Sequence, residues 1–176
     1  MRDASAVAEV GSTRPSGWAK TQPWLSMIVR LAMAGILIAA AIPKFADLGQ
    51  SVRAVRAYRL LPEAVVPAVG NALPFFELVL AAVLIFGIFT RFAAFTWLLM
   101  MAGFLVGVIW VWAKGYSIDC GCFGGGGVVA ADETNYPLHL MERLGFIAMG
   151  VFLAVFPRYA LSMDAWIRGD SYTGSQ

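Results

Sequence analysis

Residues 92–112 read FAAFTWLLMMAGFLVGVIWVW, a run without one charged side chain. A hydrocarbon core about 30 Å thick is crossed by roughly 20 residues of helix rising ~1.5 Å each. This run therefore has the length and composition of a transmembrane span. Three more such runs lie outward from it. Trp24 to Pro43 is broken only by Arg30, and about Val65 to Ile88 contains Pro67, Asn71, Pro74 and Glu77. The last starts near Pro137, a residue suited to the first helical position, and ends near Phe156. Strand spans would be about half as long and would alternate in polarity, which none of these does. The expected fold is an all-α membrane protein, a four-transmembrane-helix bundle spanning about 24–43, 65–88, 92–112 and 137–156. Polar tails are expected over 1–23, read as flexible, and 157–176.

Composition points the same way. Apolar residues make up 60% of the 176 positions, charged residues 14%, and the mean hydropathy is +0.73. A soluble domain is nearer half apolar and a quarter charged, and a chain this short cannot hide the excess in one core. The net charge of +2 is small and the 13 basic residues are scattered, which excludes a nucleic-acid stripe. Ala39, Ala40 and Ala41 resemble a signal-cleavage site, but the apolar run before them is longer than a signal's and its polar lead is long. The first span is therefore expected to stay.

Orientation follows from basic residues, which prefer the cytoplasm. Termini inside place Arg2, Arg14, Lys20, Arg91, Arg158 and Arg168 there, against Lys44, Arg53, Arg56, Arg59 and Lys114 outside. The margin is one residue. The expectation is cytoplasmic termini with the loop 113–137 extracytoplasmic. Arg53, Arg56 and Arg59 recur at helical spacing among Val52, Val55, Leu60 and Leu61, the pattern of a short amphipathic surface helix after the first span.

Ionisable groups inside a bilayer are costly and are paired or functional. Counting ~1.5 Å per residue from opposite ends of neighbouring spans puts Arg30 and Glu77 at similar depth, so an Arg30–Glu77 ion pair is expected. It serves as a structural clamp or as a proton or quinone site. A second polar group, Lys44 with His139, Glu142 and Arg143, is expected at the membrane surface that carries the loop. It reads either as interfacial anchoring or as support for the loop's chemistry.

That loop contains Asp119-Cys120-Gly121-Cys122-Phe123 and the glycines Gly124 to Gly127, and it holds the only two cysteines of the chain. A bridge across one residue closes a very small ring and bends normal disulfide geometry. It constrains so short a segment that it adds little stability, whereas strained, exposed bridges are labile and oxidising. Three readings stand: reversible thiol–disulfide exchange by Cys120 and Cys122, metal binding with His139 or Asp119, and an inert loop. For a metal, two thiols and one imidazole suit copper(I) better than a four-ligand zinc site. Asp119 opposes thiolate formation, and Lys44, Lys114 or Arg143 would offset it. No nucleophile motif or phosphate-binding glycine pattern is present.

Several of these residues together resemble the MauE/DoxX-like family of redox-associated membrane proteins. They are Arg30, Gly35, Pro43-Lys44-Phe45, Tyr58-Arg59-Leu60-Leu61-Pro62, Pro74 with Glu77, and Asp119-Cys120-Gly121-Cys122-Phe123-Gly124. The resemblance covers about residues 24–156. It implies a four-helix bundle in a bacterial cell (inner) membrane, linked to disulfide chemistry. The family's namesake serves methylamine utilisation by maturing a disulfide-rich enzyme subunit. The function expected for this chain is a thiol-disulfide redox protein assisting maturation of an extracytoplasmic protein, with an extracytoplasmic thioredoxin-like partner and conceivably a quinone. The rivals are a non-enzymatic assembly factor and a copper(I)-handling protein.

Overall fold

The structure, a computed structural model, describes residues 17–119, 127–128 and 136–156. The expected tails at 1–16 and 157–176 lie outside these residues. The elements are α1 (Gly17–Ala46), α2 (Leu48–Ala57), α3 (Val66–Phe86), α4 (Thr90–Ala113), β1 (Ile118–Asp119), β2 (Gly127–Val128) and α5 (Tyr136–Val155). Four helices, α1 from Thr21 together with α3, α4 and α5, are long and apolar enough to cross a membrane. The protein is a multi-pass four-helix membrane bundle. Val79, Phe92, Leu99 and Val155 are each more than three-fifths exposed on its outside. Only lipid makes such a surface stable, because in water a patch of that extent would drive association.

The first helix begins earlier than its apolar run. Residues 17–23, expected as tail, are already helical, and Pro23 lies inside α1. A proline removes one ladder hydrogen bond and crowds the preceding turn, yet here Pro23 is buried, as are Gln22 and Ser26. Packing outweighs the local signal that suggested a boundary.

The α3–α4 and α1–α2 connections are short. Gly87 caps α3 at φ 65° and Phe89 follows at φ 48°, so α4 reverses direction within three residues. The glycine takes the left-handed conformation without Cβ strain. At the opposite end of the bundle Asp47 separates α1 from α2. Its extended backbone breaks the first helix, and its carboxylate caps the second by accepting from the Gln50 N–H at 3.0 Å. Arg53 Nη2 donates to the same carboxylate at 2.8 Å. That hydrogen bond first, and the Gln50 cap second, hold the Asp47 carboxyl below its usual 3.8. A depressed carboxylate stabilises the fold fully above its unfolded pKa, and the contribution disappears as pH falls through the lower folded value. Amide exchange of α2, corrected for intrinsic rates, is therefore expected to be constant from neutral pH down to about the unfolded pKa of ~3.9 and to speed up below it. Asp47→Asn, which keeps the cap but not the charge, is expected to abolish most of that change.

The amphipathic helix is present, but its inner face rests on protein. Ser51, Ala54 and Ala57 are buried on it, and Ser51 Oγ donates to the Gly70 carbonyl at 2.6 Å. Arg53, Arg56 and Arg59 remain exposed. The first two turns of α3 thus pack against α2, while the rest of α3 packs against α1. The main core gathers Met33, Leu37, Leu84, Trp97 and Leu153 from all four spans. Between α4 and α5, Trp97 Nε1 donates to the Phe146 carbonyl at 2.8 Å. A Cβ on Gly150 would lie 2.7 Å from the Trp97 ring. A small residue there lets two membrane helices approach. Gly150→Val is expected to lower the unfolding midpoint and the tryptophan signal that reports α4–α5 contact, whereas Gly145→Ala, with nothing within 4 Å, leaves both unchanged.

Candidate functional site

Two features meet at the end of the bundle formed by the end of α1, α2, the start of α3, the end of α4 and the start of α5. The first is the mounting of the thiol segment. Helix α4 ends on Lys114, after which Gly115 turns left-handed at φ 69°. The Gly115 N–H donates to Trp112 and the Tyr116 N–H to Val111, both at 3.0 Å. This paired closure is a Schellman motif. It delivers Ile118 into a small core with Ala57, Tyr58, Val108 and Val111. Residues Ile118 and Asp119 then pair antiparallel with Val128 and Gly127. Directly opposed residues of such a ribbon are about 5 Å apart at their Cα atoms, so Asp119 and Gly127 lie side by side. Cys120, Gly121 and Cys122 lie outside the described residues, as does the Asp119 side chain. Two aromatic contacts brace the mounting. Tyr136 Oη donates to the Tyr116 carbonyl, and the Trp112 and Tyr136 rings stack with centroids 5.9 Å apart.

The second feature is a buried polar centre. Lys44 Nζ lies 2.5 Å from Glu77 Oε1, and both side chains are almost wholly buried. The expected Arg30–Glu77 pair does not form, because Glu77 is paired with Lys44 instead. The depth count assumed that α1 and α3 reach the same surface together. In fact α3 starts beyond the end of α1, its first turns covered by α2. Phe45 meets Phe75 edge-on at 4.8 Å, which sets the end of α1 level with the middle of α3. Arg30, fourteen residues before Lys44, is about 21 Å away along α1. It too is buried.

Arg143 of α5 joins this centre. With Lys44, Glu77, Trp97 and Phe104 it lines a cavity of about 20 Å³, room for one water. Its guanidinium lies 5.8 Å from the ring centroids of both Phe104 and Phe146. Glu77 is the only acidic side chain among the lining residues. The surface cluster expected from Lys44, His139, Glu142 and Arg143 is therefore divided. Lys44 and Arg143 turn into the bundle, while His139 Nδ1 and Glu142 Oε2 form a partly exposed pair at 3.6 Å on one face of α5. The i, i+3 spacing correctly joined those two. A quinone ring does not fit the buried centre, since ligand pockets run to roughly 300–1,000 Å³. Among the described residues no three His, Cys, Asp or Glu side chains are grouped to hold a metal.

Comparison with known proteins bears on the whole bundle. The profile of one family, described as methylamine utilisation protein MauE, matches residues 22–156. Neither the curated proteins nor the solved structures offered a match.

Proposed function

The chain belongs to the MauE family, and from that premise we propose that it is a thiol–disulfide redox protein of the bacterial envelope. It assists disulfide formation in, or maturation of, an extracytoplasmic protein. One observation carries the reading. The only two cysteines of the chain flank a single glycine, in a segment whose two ends are held together by the β1–β2 ribbon. A bridge across a single residue closes so short a loop that it is suited to exchange rather than stabilisation.

In the exchange, a partner thiolate attacks the Cys120–Cys122 disulfide, breaks the S–S bond and forms a mixed disulfide, leaving the other cysteine as a thiolate. A second partner thiolate then displaces the chain, giving an oxidised partner and a Cys120/Cys122 dithiol after protonation. Two electrons have moved from partner to chain. With no second cysteine pair in the sequence, they leave by exchange with another disulfide, that of a thioredoxin-like protein.

Cys120→Ser and Cys122→Ser address the reading separately, because each retains one sulfur and stops the resolving step. At least one is expected to accumulate a reductant-sensitive adduct with an envelope protein, absent from the double variant. If neither forms an adduct and both support maturation of the envelope protein, the chain acts as a non-enzymatic assembly factor instead.

A further inference from the structure

Beside the thiol segment, α2 and β2 enclose a second concavity of about 540 Å³, within the range of ligand sites. Arg53, Arg56 and Arg59 line it against a single acid, Glu63, and Leu61 and Val128 complete its walls. Its electrostatics are those of an anion site. Arg53 is paired with Asp47 at 2.8 Å and Arg56 with Glu63 at 2.5 Å, and all four side chains are about half exposed or more. Exposed pairs of this kind are weak and yield to a competing oxyanion. Arg59 has no carboxylate partner among the described residues. Its guanidinium carbon lies over the Tyr116 ring, 4.7 Å from the centroid, a cation–π contact that uses the ring face and no hydrogen-bond acceptor.

The depth of the groove identifies the anion's source. Tyr116 follows the end of α4, where Trp110 and Trp112 are exposed and Lys114 lies 4.9 Å over the Trp110 ring. Exposed tryptophans with a snorkelling lysine mark the headgroup level of a bilayer. Tyr58, next to Arg59, packs on Gly107 of the same helix, where a Cβ would come within 3.0 Å of its ring. The arginines are thereby anchored at that level. Next to them along the chain, Leu60, Leu61 and Val65 are all more than two-fifths exposed. A cationic groove at headgroup depth with an apolar flank matches an amphiphile whose phosphate is anionic.

We propose that this groove binds the phosphate headgroup of an anionic membrane lipid, with its acyl chains along Leu61 and Val65. Guanidinium forks recognise phosphate bidentately. Because the groove is built from α2 on one side and β2 on the other, a bound lipid joins the surface helix to the ribbon that holds residues 120–126. The inference does not depend on what those residues exchange.

The test uses the full chain in phosphatidylcholine nanodiscs, titrated with phosphatidylglycerol and read by native mass spectrometry of the released protein. One phosphatidylglycerol is expected to be retained per chain, with dissociation at least tenfold weaker for Arg53→Gln/Arg56→Gln/Arg59→Gln. The control Arg91→Gln, at the opposite end of the bundle, leaves retention unchanged. Arg59→Gln alone preserves both ion pairs and is expected to weaken retention about threefold, which covers the case in which the triple variant folds poorly. Equal retention of phosphatidylcholine, or undiminished phosphatidylglycerol binding in Arg59→Gln and the triple variant, overturns the proposal. So does complete displacement of the lipid by millimolar inorganic phosphate, which would show a site for free phosphate.

Discussion

Glu77→Gln is expected to destabilise the bundle more than Lys44→Met does, although each removes one partner of the same ion pair. Breaking a buried pair from one side costs about 3–5 kcal/mol, chiefly because the remaining charge is left uncompensated. The two sides are unequal here. Lys44, Glu77 and Arg143 line one cavity, so removing Lys44 leaves one cation and one carboxylate facing it. Removing the Glu77 charge leaves two cations and no acid among the lining residues. Lys44→Met should therefore fall near the lower end of that range and Glu77→Gln near or above its upper end. The double variant Lys44→Met/Glu77→Leu, which replaces the pair by apolar side chains of similar size, should recover much of the loss. Unfolding in mixed micelles, followed by helix signal and tryptophan emission, gives the three values. Equal losses for the two single variants would sink the shared-cavity account and reduce the pair to an isolated clamp.

Gly70→Ala is the second large effect, and a backbone contact sets it. A Cβ at this position would lie 2.6 Å from the Cα of Val52 and 2.9 Å from its side chain. A flexible tip could rotate away; a Cα can move only if α2 moves. Overpacking typically costs about 1–3 kcal/mol, and displacement of α2 also strains the Ser51 Oγ to Gly70 carbonyl bond at 2.6 Å. The expected result is a bundle that still inserts but whose α2 exchanges its amides much faster, with cysteine reactivity altered because α2 also borders β2. Gly103→Ala, where nothing lies within 4 Å, is the matched control. If α2 protection is the same in both variants, the close approach is not what seats the helix.

Much of the architecture was legible because membrane spans follow one-dimensional rules. Length, apolarity and the absence of charge identify a span without any knowledge of its neighbours, and the four runs found by composition became α1, α3, α4 and α5. Their ends were less legible. Pro23 and the polar residues around it read as tail, but helix there is held by burial of Gln22, Pro23 and Ser26. The spacing of Arg53, Arg56 and Arg59 announced α2 as amphipathic. It did not reveal that small residues, Ser51, Ala54 and Ala57, would seat the helix on α3 rather than on lipid.

The polar sites divide along the same line. The sequence by itself determined that four helices cross a bilayer, that buried charges exist in them, and that two thiols lie on one loop. Each of these depends only on residue type and local spacing. Which charge meets which was decided by tertiary structure alone. Glu77 pairs with Lys44 and not Arg30 because α2 covers the start of α3 and shifts its register against α1, an offset that no local pattern encodes. For the same reason Lys44 and Arg143 left the expected surface cluster for the interior, while His139 and Glu142, joined by spacing within one helix, stayed together. Contacts within a helix follow from its period; contacts between helices depend on where each one begins relative to the others, and packing sets that.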